Sequence, residues 1–305
     1  MPETQVPHAY DSVVPFQVDA LGVRGRLVRL GKAAKPLLDD NRYPATVRGL
    51  ALDTMALTAL LASTLKYEGV FSLQVQGDGP VGLLFGDATS EGALRTYAKF
   101  DADGVASADS NTSGALPHLV GAGHMAFTVD QGPDTDRYQG ISELSGATLA
   151  ECAAGYFRQS EQLDTQIISA HTETGNGISA AALFLQRLPA AEADTDEAID
   201  AWREAALLAG TVTEAELLNA ELPSADLLFN LYHERGVRVF ESQPLHFSCR
   251  CSHERVVRTL ASFPRAEIED LRVDGVVAVT CEFCGADYRF DDDALARVYS
   301  ETANR

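Results

Sequence analysis

HFSCRCSHERVVR, residues 246–258, and CEFCGADYRF, residues 281–290, hold four of the five cysteines in a chain of 305 residues. Cys249 and Cys251 form a CxC pair, and Cys281 and Cys284 form a CxxC pair that is followed by Gly285. A CxxC turn aims both sulfurs at one point, because the glycine tolerates the crowded backbone. Zinc binds four thiolates in a tetrahedron. The two pairs together therefore predict a single zinc ion with all four cysteines as ligands.

The segment around these cysteines is predicted to be a small C-terminal zinc-binding domain, residues 245–305. Its predicted elements are a CxC turn, helices near 253–262 and 265–271, strands at 276–280 and 286–290 around the CxxC turn, and a helix at 291–299. A unit of this size is marginally stable alone, whereas zinc contributes about 10–16 kcal/mol to the folding of small peptides. We expect the domain to be folded with metal and unfolded without it.

Other roles for the four thiols are open at this point. Permanent disulfides need an oxidising compartment, a thioredoxin-like CxxC follows the first strand of a βαβ unit, and an iron–sulfur cluster has a different usual spacing. A zinc site can also be structural or responsive to oxidants, which attack thiolates. The short spacing within each pair favours local disulfides, Cys249 with Cys251 and Cys281 with Cys284, because short loops close at little entropic cost. Spacing does not choose between the structural and responsive interpretations.

Residues 1–190 are predicted to form a mixed α/β domain within an overall α+β fold. Alternating apolar residues predict strands within 16–30, 70–87, 93–99, 124–130, 137–144 and 165–188. Two amphipathic helices are predicted, one of about five turns that opens near Pro44 and one over 147–160. The second of these helices places Cys152 on its apolar face, where an inert core thiol is expected.

Residues 191–244 are predicted to be a helical acidic linker. Residues 191–222 hold nine acidic residues and one basic residue, Arg203, and Thr213 with Glu216 forms a candidate capping box. The segment also carries large apolar side chains that must be covered in the resting protein. Those proposed here as a client-binding surface are Trp202, Leu207, Leu208, Leu217, Leu218, Leu227, Leu228 and Phe229.

The composition excludes several classes of protein. Acidic residues outnumber basic ones by 44 to 24, giving a net charge of -20, which disfavours binding to nucleic acid and to anionic lipid. No run of about 18 apolar residues predicts a membrane span, and the N-terminus lacks the pattern of a secretory signal. A cytoplasmic protein is therefore expected. No nucleophile–base–acid pattern argues for catalysis, so the chain is not expected to be an enzyme.

These motifs resemble the heat shock protein 33 family, the redox-regulated 33 kDa chaperonin. FSCRCSHER at 247–255 and CEFCGADYRF at 281–290 carry the resemblance most specifically. Supporting stretches are LVRL at 27–30, LKYEGVFSLQVQGDGPVG at 65–82, YQGISELSG at 138–146, YFRQSEQLDT at 156–165, LFLQRLP at 183–189 and LLFNLYHE at 227–234. His253 stands where the family commonly has arginine, and residues 179–183 are richer in alanine than is usual; neither change touches a cysteine.

The resemblance implies an ATP-independent holdase that is inactive while its thiols are reduced and zinc is bound. Oxidants together with unfolding stress would then release zinc and form two disulfides. The linker would loosen, the protein would tend to form a homodimer, and apolar surface would capture unfolding client proteins. Two other functions compete with this one: a static zinc-ribbon adaptor that binds a protein partner, and a thiol oxidoreductase.

Overall fold

A computed structural model describes residues 10–39, 42–109, 116–132, 135, 137–174, 177–189 and 195–302. The chain divides into two compact units, Met1–Phe247 and Ser248–Arg305. The predicted boundary at 190/191 lies outside the described residues. The division into a domain, a linker and a zinc domain stays a prediction.

The strands of the larger unit form two six-stranded sheets. In chain order the strands are β1 (Ser12–Val18), β2 (Val23–Leu30), β3 (Val70–Gly77), β4 (Leu83–Thr89), β5 (Ala93–Lys99), β6 (Gly123–Asp130), β7 (Tyr138–Glu143), β8 (Thr165–Thr174), β9 (Gly177–Arg187), β10 (Arg238–Val239), β11 (Gln243–Pro244) and β12 (His246–Phe247). The first sheet has the order β10-β1-β2-β9-β8, with β11 also on β1, and the second has the order β12-β5-β4-β3-β6-β7. The strands predicted between residues 16 and 188 are confirmed.

The helices of the larger unit are partly those that the periodicity predicts. They are α1 (Pro36–Asp39), α2 (Ala45–Thr64), α3 (Ala102–Asp109), α4 (Leu116–Leu119), α5 (Leu149–Ser160), α6 (Asp196–Gly210), α7 (Glu214–Leu217) and α8 (Ser224–Tyr232). The helix predicted after Pro44 is α2, and the helix predicted over 147–160 is α5. The mixed α and β fold predicted for the chain is confirmed.

Helix α2 is the central element of the larger unit, since it contacts strands of both sheets. Its small and apolar residues are buried on nearly every side, further than the leucine spacing alone indicates. The two buried threonines satisfy their hydroxyls within the helix, Thr54 on the Leu50 carbonyl and Thr58 on the Thr54 carbonyl, each at 2.7 Å. Within the described residues, α2 is also the one helix with the length and apolar composition of a membrane span, and 83% of that apolar window is buried inside the fold.

The first sheet carries buried apolar side chains on both of its faces. Alternate residues of a strand point to opposite faces. Val28 and Phe184 join the core around α2, whereas Leu27 and Leu183 join a second core with helices α6, α7 and α8. The acidic segment is therefore folded, and its apolar side chains cover the face of the first sheet that α2 does not cover.

The smaller unit contains the elements predicted around the cysteines. These are α9 (His253–Ala261), α10 (Arg265–Glu269), β13 (Val277–Thr280), β14 (Asp287–Phe290) and α11 (Asp292–Thr302). Strands β13 and β14 pair antiparallel as a hairpin. Over the described part of this unit, up to residue 302, six side chains form the buried apolar core: Leu260, Ile268, Val277, Phe290, Leu295 and Val298. A core this small contributes little stability by itself.

Candidate metal centre

The CxC pair lies in the loop immediately before α9. Ser252 is the N-cap of that helix, and its hydroxyl accepts a hydrogen bond of 3.2 Å from the Arg255 N–H. A serine N-cap satisfies one of the donors that a helix start leaves free. The cap fixes where the helix begins, and it thereby positions Cys251, the residue before it.

The CxxC pair lies in the turn that joins β13 to β14. The Gly285 N–H donates to the Cys281 carbonyl at 2.8 Å, and the Cys281 N–H donates to the Ala286 carbonyl at 2.9 Å. Gly285 has a φ of 70°, in the left-handed region that glycine adopts without a steric cost. This is the tight turn that the sequence predicts. It joins the two strands of an antiparallel hairpin, not a βαβ unit, which argues against a thioredoxin-like pair.

The two loops bring all four sulfur atoms together. The Cys249 and Cys281 Sγ atoms are 3.6 Å apart, the Cys251 and Cys284 Sγ atoms are 3.4 Å apart, and all four lie within 4.8 Å of one another. A tetrahedron of sulfurs around zinc, with bonds of roughly 2.3 Å, has edges of about 3.8 Å. All five cysteines of the chain are free thiols in the structure. The arrangement is therefore one that could hold a metal ion.

The close packing of the four thiols opposes their joint ionisation. Burial raises the pKa of the Cys284 thiol well above its usual range, and hydrogen bonds with the other three sulfurs raise it further. Four thiolates cannot share so small a space unless a positive charge compensates them, since like charges disfavour ionisation. A divalent metal supplies that charge and replaces the protons of the thiols.

Tyr288 is a neighbour of the site that sequence reasoning missed. A hydrogen bond with the Cys251 sulfur raises the pKa of its hydroxyl to about 12. Its position on β14, four residues after Cys284, is the signal that could have identified it. His253 stacks on the Phe290 ring at a centroid distance of 5.3 Å, so it packs against the small core. The other flanking histidine, His246, lies in β12 of the larger unit.

The predicted client-binding side chains fall into three groups. Leu217, Leu227 and Leu228 are buried in the second core, and Trp202, Leu208 and Leu218 pack against it while partly exposed. Leu207 and Phe229 point outward, with 73% and 58% of their surface exposed. Most of this surface is thus covered by the first sheet. Its role in holding clients stays a prediction.

The fifth cysteine, Cys152, lies outside the metal centre. Cys152 is 1% exposed, and burial raises the pKa of its thiol, as expected for an inert core cysteine.

Arg29 is 2% exposed, although no sequence pattern predicted a buried arginine on β2. Its guanidinium donates to the Leu222 carbonyl and, at 2.7 Å, to the Glu216 carbonyl. It therefore anchors the acidic segment to the sheet.

Comparison with known proteins gives consistent matches over nearly the whole chain. A family model described as Hsp33 protein matches residues 11–291. The chain is 39% identical over 287 residues to a 33 kDa chaperonin of Caulobacter vibrioides, covering 92% of this chain and 95% of that protein. It is 37% identical over 292 residues to a 33 kDa chaperonin of Nitrosococcus oceani, covering 95% of each. These names support a chaperone function.

A solved structure shares the fold. The crystal structure of a 33 kDa chaperonin from Thermotoga maritima matches with a TM-score of 0.80 and 19% sequence identity, over 97% of this chain and 100% of that chain. At this identity the likeness concerns the fold alone.

Proposed function

The chain belongs to the Hsp33 family, and from this premise we propose that it is a redox-regulated, ATP-independent chaperone that holds unfolding proteins in the cytoplasm under oxidative stress. In the proposed resting state Cys249, Cys251, Cys281 and Cys284 bind one zinc ion and the chaperone is inactive. Oxidation converts these cysteines to the disulfides Cys249–Cys251 and Cys281–Cys284. Zinc is released and the protein becomes active, as a homodimer.

The single observation that carries the proposal is the meeting of four sulfur atoms within 4.8 Å in a unit with a core of six side chains. Bound zinc would supply positive charge to the four thiolates and folding energy to the unit. The small apolar core cannot replace that energy. Loss of the thiolates should therefore unfold the unit. In a large and stable domain, the same loss would leave the domain folded.

The oxidation step is a two-electron change for each disulfide. Each pair of thiolates loses two electrons as its S–S bond forms, and a peroxide takes up the two electrons with two protons as its O–O bond breaks. The four thiolates that held the metal are then neutral disulfide sulfurs. They are poor ligands for zinc, so oxidation and metal loss occur together.

The acidic segment provides the surface that the proposal requires. Helices α6, α7 and α8 hold their leucines against the first sheet, so the segment and the sheet cover each other's apolar faces. Residues 191–222 carry nine acidic side chains against one basic one, and their mutual repulsion works against docking. We propose that this segment loosens once the adjoining unit unfolds. Both apolar faces then become available to clients, and the same negative charge keeps a loaded chaperone dispersed.

The test follows three quantities in one sample of the full chain during titration with peroxide. Zinc release, loss of free thiols and suppression of the aggregation of an unfolding test protein should rise together, without ATP. The Cys152→Ser variant is the matched control, because it removes the one cysteine outside the site. Zinc loss with no gain of aggregation suppression would contradict the chaperone proposal and favour the static zinc-ribbon adaptor.

A further inference from the structure

Residues 238–247, here called the strap, cross the edges of both sheets of the larger unit. Strand β10 pairs antiparallel with β1, with Phe16 opposite Val239, and β11 pairs with β1 further along, with Val13 opposite Gln243. Strand β12 then pairs in parallel with β5 in the second sheet. The strap therefore occupies the one open side of β1, whose other side is paired with β2.

Backbone hydrogen bonds hold the strap to β1, together with the ion pair of Arg238 with Asp19 and the buried side chain of Leu245. The Phe240 N–H donates to the Pro15 carbonyl at 2.9 Å, and the Leu245 N–H donates to the Asp11 carbonyl at 2.8 Å. Strands β10, β11 and β12 are two residues each, and β10 and β11 are exposed. Short exposed strands open locally at a low free-energy cost. The β10 and β11 part of the strap is thus the part that can leave the edge most easily, whereas Leu245 holds the following part in the core.

The edge beneath the strap is long and apolar. Strand β1 has seven residues, SVVPFQV, and most of their side chains are buried. Pro15 lacks an N–H, a feature typical of edge strands, where no donor is required. Without the strap, β1 would present a row of unpaired backbone groups beside apolar side chains, and such an edge readily pairs with another extended chain.

The strap is followed directly in the sequence by the cysteines of the metal centre. Its distance from the second sheet depends on a single glycine, Gly92. Phe247 is two residues before Cys249. Gly92, at the start of β5, has a φ of 86°, and a Cβ built there would lie 2.2 Å from the Pro244 carbonyl oxygen. Any other residue at position 92 would therefore push the strap away from the sheet. This contact places the strap against the second sheet, and the chain continues from Phe247 into the unit that carries the cysteines.

We propose that the β1 edge is a docking site for extended segments of unfolding client proteins, which add to the first sheet as an antiparallel strand in place of the strap. The occupant is an apolar, β-forming polypeptide without strong negative charge, because the chain itself carries a net charge of -20. Peptide capture by strand addition takes its affinity from main-chain hydrogen bonds, which suits a chaperone with many different clients. The assignment rests on the proposed function and names its client surface.

The test uses the strap's own sequence as the probe. A labelled peptide of residues 237–247, VRVFESQPLHF, is titrated into the full chain in its reduced, zinc-loaded form and after oxidation. A second peptide carries N-methyl groups on the residues equivalent to Phe240 and Leu245, so its side chains are unchanged and two backbone donors are lost. We expect binding after oxidation, competition with an unfolding client, and binding of the methylated peptide about tenfold weaker.

A second arm releases the strap without any oxidant. The Gly92→Ala variant should bind the unmethylated peptide while its thiols stay reduced and its zinc stays bound. Gly132→Ala is the matched control: Gly132 also has a positive φ, 107°, but a Cβ there meets no atom within 4 Å. The control shares the backbone strain and leaves the strap in place, so it should not bind the peptide.

The outcomes separate this inference from the proposed function. Equal binding of the two peptides, or no binding to reduced Gly92→Ala, would overturn the edge assignment even if oxidised protein still suppressed aggregation. Failure of the oxidised protein to suppress aggregation would contradict the proposed function, while the Gly92→Ala arm would still report on the edge. If the peptide instead dissociated an oxidised dimer and failed to compete with client, the edge would be assigned to a second copy of the chain, and the client assignment would be wrong.

Discussion

Arg29 offers a direct way to loosen the acidic segment while every cysteine stays in place. Its buried guanidinium donates to the backbone carbonyl of Glu216, in the last turn of α7, and to that of Leu222, which follows this helix. A hydrogen bond from a charged group contributes roughly 1.5–3 kcal/mol. In the Arg29→Ala variant both bonds are lost; the Leu222 carbonyl loses the guanidinium, the Glu216 carbonyl keeps the Asn219 N–H, and water that enters the site offsets part of the cost. We expect a net loss of about 3 kcal/mol in the docking of this segment.

The effect can be measured by hydrogen exchange on the reduced, zinc-loaded protein. A loss of about 3 kcal/mol raises the population of locally open forms about a hundredfold, so the amides of α6 and α8 should exchange faster by that factor. The amides of α2 should be unaffected. The variant should also suppress client aggregation partially before any oxidation.

The matched control is Arg24→Ala. Arg24 lies on the same strand, and its guanidinium donates to the Gln186 side chain, so its removal leaves the carbonyls of the acidic segment paired. If Arg29→Ala and Arg24→Ala gave the same exchange rates in α6 and α8, the reasoning that assigns the docking of the acidic segment to Arg29 would be refuted.

Three further predictions concern the metal centre and the pH dependence of stability. Cys281→Ser should lower the zinc content measured by a chromophoric chelator to near zero and unfold the small unit by circular dichroism, whereas Cys152→Ser should keep one zinc per chain. Gly285→Ala places a side chain on a residue in the left-handed region, at φ 70°, which costs about 1 kcal/mol. Chelator competition should therefore show zinc affinity reduced about fivefold. Unchanged affinity would contradict the role of the turn. The His171 Nδ1–H donates to the Asp53 carboxylate at 3.0 Å, and this hydrogen bond raises the pKa of His171. This pair therefore stabilises the fold fully below the unfolded-state pKa of about 6.5, and the stabilisation is lost as pH rises through the pKa of His171 in the folded protein. Urea unfolding should show that the free energy of unfolding of the wild type falls over this pH range, and that it falls less in Asp53→Asn.

The secondary structure of the chain was largely predictable because its patterns are local. Alternation of apolar residues identified the β1–β2 and β3–β4 hairpins, and leucine spacing with Pro44 and the Thr213–Glu216 capping box located α2 and α7. The burial of α2 on nearly all sides was not predicted. It depends on alanine and threonine residues that tolerate a sheet on each side, which spacing alone does not reveal.

The four cysteines of the metal centre were predictable from the sequence, and the residues that contact them were not. The spacing of Cys249, Cys251, Cys281 and Cys284 indicated one shared site, since ligands close in sequence lie on tight turns. The hydrogen bond of Tyr288 depends on how β14 passes the CxC loop, a contact between residues 37 positions apart in sequence. Such contacts follow from the folded hairpin and leave no local pattern.

The docking of the acidic segment needed the structure for a similar reason. Its apolar side chains indicated that something must cover them, without indicating which surface does so. Only the folded structure shows that the first sheet covers these side chains. The same holds for the strap, because pairs such as Phe16 with Val239 join residues from opposite ends of the chain.

In the proposed mechanism the zinc–thiolate centre controls whether residues 196–232 stay docked on the first sheet. The most direct measurement is hydrogen exchange of α6, α7 and α8 during peroxide titration, with zinc release and free thiols determined in the same samples. We predict that protection of these helices falls in proportion to zinc release, while α2 stays protected. Full loss of zinc and of the four thiols with unchanged protection of α6 to α8 would contradict the account.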